Sequence, residues 1–97
     1  MTKLIIQIPC YNEEKTLLTT LNDLPKTIAG IDEIEVLVIN DGSNDNSENI
    51  AKIWGATVLN IKPNKGLANA FRSGLRYSLK SGADIIVNTD ADNQYCA

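Results

Sequence analysis

Asp90 and Asp92 stand one residue apart in "VNTDADNQY", directly after an apolar run. Two carboxylates at i and i+2 on an extended turn can contact one hard cation or its water shell. Mg2+ or Mn2+ held there would bridge to phosphate oxygens and offset the charge developing on a leaving diphosphate. Without a cation or solvent such neighbours repel. The plainer alternative is a solvated turn before a helix, with Asp92 or Asn93 as N-cap, and the pair alone does not choose between them.

Three further polar clusters each follow an apolar run: "PCYNEE", "DGSNDNS" and "KPNKG". Each has a chemical and a plain reading. Asp41 can accept hydrogen bonds from a base or ribose lying across strand ends, or Asp41-Gly42-Ser43 can be ordinary turn chemistry. Asn12 and Glu13 can line a ligand or cap a helix. Asn64, Lys65 and Gly66 can cover a ligand or make a turn. Arg72 and Arg76, four apart, default to a solvated helix face; an arginine reaching a diphosphate from there is not required by the spacing.

Bulk properties narrow the chemistry. The chain contains no histidine, so Ser-His-Asp, Cys-His and histidine-zinc sites are excluded within it. The two cysteines, Cys10 and Cys96, have neither zinc-ligand nor CxxC spacing. They could approach each other at strand ends, although cytosolic thiols are normally reduced. The net charge of −3 carries no basic patch, so nucleic acid is not an expected partner. Nothing resembles a signal peptide or an apolar stretch of the ~20 residues that span a bilayer. The expectation is a soluble, cytoplasmic chain, lying at the cytoplasmic face of a membrane if the full-length protein carries an anchor.

The elements that must position these residues are readable. Runs at Lys3–Ile8, Glu33–Asn40, Ala56–Ile61 and Ala83–Thr89 are β-branched and nearly continuous, which suits parallel strands covered on both faces. Pro9 is expected to end the first. Between them lie three helical patterns. Asn12 is the expected N-cap of the first, with Glu13 and Glu14 in its first turn and Leu17, Leu18, Leu21 and Leu24 on one face. The second starts at Ser43, Asn44 or Asp45, buries Ile50, Ile53 and Trp54, and stops at Gly55. The third presents Leu67, Ala70, Phe71, Leu75 and Leu79 and closes at Gly82.

The order β-α-β-α-β-α-β predicts an α/β fold, a Rossmann-like three-layer parallel sheet with right-handed crossovers. All four polar clusters then fall at the carboxyl ends of strands, the edge where open α/β sheets bind ligands. The opposite connections, "AGID", "WGA" and "SGA", are plain turns. This asymmetry favours one composite site.

Taken in order, "IPCYNEE", "VINDGSNDNS", "NKGLANAFRSGL" and "DADNQY" resemble the successive motifs of the family 2 inverting glycosyltransferases of GT-A fold. Within that family the chain is most similar to the polyprenol-phosphate (dolichol-phosphate) sugar synthase branch. The resemblance covers essentially residues 1–97, and four short motifs in register are specific where one is not. It implies that Pro9, Tyr11, Asn12 and Glu13 pack against the base and ribose of a nucleotide and that Asp41 contacts the base or ribose. It implies that Asn64, Lys65 and Gly66 close over the nucleotide, with Arg72 approaching from the following helix. Asp90 and Asp92 match the DxD motif, the first meeting the ribose or the metal's water shell and the second the metal and diphosphate. The implied donor is a UDP-sugar or GDP-sugar, the cofactor Mg2+ or Mn2+, and the acceptor a polyprenyl phosphate, other lipid phosphate or glycan.

A full GT-A domain is roughly twice this length or more. The resemblance therefore assigns residues 1–97 to the nucleotide-sugar-binding, N-terminal half of the catalytic domain, cut before the acceptor half. No catalytic base is identifiable; base and acceptor residues are expected beyond Ala97, and the fragment alone is expected to be inactive. Strand four would lie beside strand one in an order 3-2-1-4, its outer edge unpaired and open to self-association. The rival reading is a non-catalytic nucleotide-binding α/β module. A receiver domain would need an Asp after strand three, an aspartyl phosphatase its DxD after strand one, and a P-loop the GxxxxGK[ST] pattern; none is present.

Overall fold

The computed structural model describes residues 1–12, 14–42, 45–61 and 67–89, with side chains for all of these except 67 and 68. Its elements are β1 (Lys3–Cys10), α1 (Glu14–Asn22), β2 (Glu33–Asn40), α2 (Ser47–Trp54), β3 (Thr57–Asn60), α3 (Leu67–Lys80) and β4 (Ile85–Asn88). The four strands form one parallel sheet in the order β3-β2-β1-β4, as the sequence predicts. On one face Leu4, Ile6, Ile8, Cys10 and Val38 pack with Leu17 and Leu21 of α1 and Ala51 of α2. On the other Ile5, Leu37 and Ile39 pack with Ala70 of α3. The result is a three-layer arrangement with β1 and β2 buried between helices.

The first strand does not stop at Pro9. It continues to Cys10, with Pro9 opposite Ile39. Backbone groups of successive residues in a parallel strand point alternately to the two neighbours. The carbonyls of Lys3 and Gln7 accept from β4-side amides, of Asp84 and Thr89, while that of Cys10 accepts from Asp41. Pro9 therefore turns its missing N–H toward the β4 side, beyond the last β1–β4 pair at Gln7–Asn88. The ladder to β2 loses nothing.

The helices present narrower and more polar faces than their leucines and isoleucines suggest. In α1 Leu17, Thr20 and Leu21 are buried, whereas Leu18 is 48% exposed. The stripe at i, i+3, i+4 and i+7 passes through Leu17 to Leu24 and leaves Leu18 roughly 100° around the helix. In α2 Ser47 and Ala51 are buried, with Ile50 and Trp54 half-buried, and Ile53 is 87% exposed. The largest departure is α3. Ala70, Gly74 and Ser78 face the sheet, Phe71 is half-buried, and Leu75 and Leu79 are exposed.

Hydrogen bonds and close approach fix that rotation of α3. The Tyr77 hydroxyl donates to Oε2 of Glu35 on β2 at 2.7 Å, and the Ser78 hydroxyl to Oε1 of Gln7 on β1 at 2.7 Å. One turn before Ser78 the helix rests on the sheet at Gly74, where a Cβ would fall onto Cδ1 of Ile39 and lie 3.2 Å from the Gln7 amide. Burial pushes the Glu35 carboxyl up, but the bonds from Tyr77 and Lys3 outweigh it and hold the group below its ordinary range. Lys3 sits 3.0 Å from Glu35 and also donates to the Ser81 carbonyl. This polar anchor lies at the amino-terminal edge of the sheet, away from the clusters.

β4 is also not covered on both faces. Ile85 and Val87 are 43% and 44% exposed, and among the described residues β4 pairs only with β1.

Candidate functional site

The carboxyl ends of the strands form a stepped edge. Cys10, Asn40 and Asn60 stand level across β1, β2 and β3, while β4 ends three residues lower on β1, at Gln7–Asn88. The steps are tied by backbone bonds: the Asp41 amide donates to Cys10 O, the Ile61 amide to Asn40 O, and the Thr89 amide to Gln7 O, each at 2.9 Å.

Among the sequence-predicted residues, Pro9 is buried in β1, and Asp41 is 5% exposed one residue past β2. Tyr11 is 46% exposed beside them. Asn12 is exposed with φ +53°, the left-handed region that asparagine tolerates better than most residues. It therefore does not have the extended backbone of an N-cap, and α1 begins two residues later at Glu14. The Pro9–Asn12 segment and Asp41 are thus held together, with Asp41 bonded to the Cys10 carbonyl between them. Arg72 goes elsewhere. It is exposed on α3, where it lines a groove of about 340 Å3 with Gln7, Phe71, Leu75, Ile86 and Asn88. That puts it on the β4 side of β1, not beside Asp41. The expectations for Glu13, Asn64, Lys65, Gly66, Asp90 and Asp92 lie outside the described residues. So do Cys96 and Ala97, and with them the expectation that base and acceptor residues follow Ala97. Among the described residues no cluster of three or more His, Cys, Asp or Glu side chains could hold a metal ion.

Residues beyond the predicted set complete the edge. Asp45, expected only as a possible helix start, ties two helix N-termini. Its Oδ1 accepts from the Ser47 amide at 3.0 Å and the Ser47 hydroxyl at 2.6 Å, and its Oδ2 from the Glu14 amide at 3.1 Å. Asn46 occupies the N-cap position of α2 without a side-chain bond to a helix backbone N–H; its Oδ1 accepts instead from the Asn49 side-chain amide at 2.9 Å. Burial pushes Asp45 up, but the Ser47 and Glu14 bonds outweigh it and leave the carboxyl below its ordinary value. Nearby, the Asn40 amide donates to Asn60 Oδ1 at 3.0 Å, and the Asn60 amide to Glu48 Oε2 at 3.2 Å. Lys52 lies 2.7 Å from the same Glu48 oxygen. The available signal was that both strands end in asparagine, "VIN" and "VLN". The partners depend on register, which spacing alone does not supply.

An edge of this kind offers a buried acid, an exposed aromatic ring and two helix starts to a ligand lying across β1 and β2. The chain as a whole is similar to known proteins. The sequence profile described as "Glycosyl transferase family 2" matches residues 5–96. A UDP-N-acetylglucosamine–dolichyl-phosphate N-acetylglucosaminyltransferase of Methanococcus voltae is 32% identical over 105 aligned positions, which cover 91% of this chain and 40% of the relative. An undecaprenyl-phosphate mannosyltransferase of Micrococcus luteus is 34% identical over 93 positions, covering 91% of this chain and 37% of the relative. The structure of a mannosyltransferase from Pyrobaculum calidifontis, in complex with GDP-Man and Mn2+, superposes with a TM-score of 0.75 at 26% identity. That match covers 92% of this chain and 27% of the mannosyltransferase chain. The chain thus spans well under half the length of these relatives.

Proposed function

The chain belongs to glycosyl transferase family 2, and on that premise we propose that its strand-end edge is the donor-binding half of an inverting sugar transferase. The observation that carries this is the pairing of buried Asp41 with the Pro9–Asn12 segment across the ends of β1 and β2. A carboxylate fixed there can accept hydrogen bonds from a base or ribose, while Tyr11 offers an apolar ring face. Asn64, Lys65 and Gly66 would cover the nucleotide. Arg72 would serve the diphosphate from the β4 side.

Asp90 and Asp92 provide hard oxygen donors, a set suited to Mg2+ or Mn2+ and not to softer metals. Bound there, the cation would supply positive charge to the leaving nucleoside diphosphate. The donor is a UDP- or GDP-sugar, a choice supported by the UDP-sugar named for the M. voltae relative and the GDP-Man bound by the P. calidifontis enzyme. The acceptor is a polyprenyl or other lipid phosphate, or a glycan. The dolichyl- and undecaprenyl-phosphate names of the two relatives favour the lipid. A water-soluble donor and a lipid acceptor together fit work at the cytoplasmic face of a membrane. Among the described residues no helix is long and apolar enough to cross one.

Amide chemical-shift mapping with UDP and GDP, each with and without Mg2+, tests the assignment. Shifts concentrated at residues 10–12 and 40–42 are expected. Shifts confined to the amino-terminal edge near Glu35 and Tyr77 would refute it.

A further inference from the structure

Gln7 is a polar side chain in the middle of the most buried strand, between Ile6 and Ile8, and is only 2% exposed. Both ends of its amide are bonded. Its Oε1 accepts from the Ser78 hydroxyl at 2.7 Å, and its Nε2 donates to Oδ1 of Asn88 at 2.7 Å. Its backbone carbonyl takes the Thr89 amide at 2.9 Å. One residue of β1 thus links α3, the last residue of β4 and the residue after it.

Apart from its ladder to β1, little among the described residues holds β4 at that end. Ile85 and Val87 are exposed, and no further strand flanks it among the described residues. Its amino-terminal end has its own polar tie, with Asp84 Oδ2 accepting from the Lys3 amide at 2.8 Å and the Asp84 amide donating to Lys3 O at 2.8 Å. Four residues of strand are therefore pinned at both ends by polar bonds, with little apolar burial between. A partly buried amide network of this kind is directional where an apolar contact is not.

We infer that Gln7, with Ser78 behind it, is a positioning residue that fixes the height of the β4 end through Asn88, the strand end from which the sequence runs on to Asp90 and Asp92. The inference rests on the donor-site reading, since only there does the placement of those acids matter. Sites of this type lose function when supporting residues let ligating groups drift by about 1 Å. Gly74 belongs to the same device, because its missing Cβ allows α3 to bring Ser78 onto Gln7.

Two variants separate positioning from stability. Asn88→Leu leaves the Gln7 amide without its acceptor. The triple Gln7→Met, Ser78→Ala, Asn88→Leu removes every partner together, a replacement that is often nearly neutral for stability. In Asn88→Leu the Thr89 amide is expected to exchange with solvent roughly five- to tenfold faster relative to Val38 and Ile39, the loss of one hydrogen bond. In the triple variant the melting temperature should return toward wild type, while the affinity for UDP or GDP with Mn2+ stays at least about tenfold weaker, the scale set by misplaced ligands. Unchanged Thr89 exchange in Asn88→Leu, or wild-type nucleotide affinity in the triple variant, would overturn the inference. If the wild-type chain binds neither nucleotide with Mn2+, the donor reading fails, and the Thr89 exchange ratio alone decides whether Gln7 holds β4.

Discussion

At the scale of single residues, Asp45 does what a helix cap does for two helices at once. Replacing it with alanine removes three hydrogen bonds at the starts of α1 and α2. A loss of about 1–2 kcal/mol is expected, the usual cost of deleting a cap, measurable by denaturant unfolding. Asp45→Asn should recover part of it through its remaining acceptor oxygen. The pH dependence has a definite sign. Asp45 titrates below its ordinary 3.8 in the folded chain, so the folded state binds fewer protons than the unfolded one. Its contribution is fully present above that ordinary value and is lost as pH falls through the depressed one. The gap between wild type and Asp45→Ala should therefore shrink in acid. A gap that widened below pH ~4 would contradict the assignment. Of the proposed donor residues, Asp41 and Tyr11 were legible as strand-end positions because each follows an apolar run. Asp45's hold on α1 was not, because it joins groups 31 residues apart.

At the scale of elements, the strands were legible and the helix faces were not, for one physical reason. β1 and β2 are buried on both sides, so continuous apolar runs identify them without a choice of face. A helix must also choose its rotation, and in α3 the choice went against Leu75 and Leu79. Hydrogen bonds from Tyr77 and Ser78 and the close approach at Gly74 outweigh two exposed leucines. Gly74→Ala accordingly sets better helix propensity, worth up to about 1 kcal/mol, against a collision with Ile39. We expect net destabilisation of about 1–3 kcal/mol, as for overpacked cores. A stabilised Gly74→Ala variant in thermal unfolding would show that α3 does not sit where described. Tyr77→Phe should cost about 1 kcal/mol through its lost bond to Glu35, a smaller fall in the same assay.

At the scale of the whole molecule, right-handed crossovers permit the order 3-2-1-4 without choosing it; it was the order expected beside the resemblance to the GT-A fold, and the structure has it. The same topology leaves β4 at an edge with Ile85 and Val87 exposed. Edges of this kind pair with other chains, so the 97-residue chain is expected to self-associate with rising concentration in sedimentation experiments, and Val87→Lys to suppress it. A wild-type chain that stays monomeric at high concentration would count against pairing through β4. The proposed composite site depends on the strand ends meeting on one edge, which the parallel sheet supplies; the polar clusters after β3 and β4 lie outside the described residues. The sequence did not reveal that Arg72 lies by β4 and apart from Asp41, because that follows from the rotation of α3. The central claim is a metal-dependent nucleotide site at this edge. Calorimetric titration of UDP and GDP, with and without Mn2+, into wild type, Asp92→Ala and Lys26→Ala tests it most directly. Mn2+-dependent binding of one nucleotide is expected of wild type and Lys26→Ala, and its loss is expected in Asp92→Ala. Equal binding with and without Mn2+, or undiminished binding by Asp92→Ala, would contradict the claim.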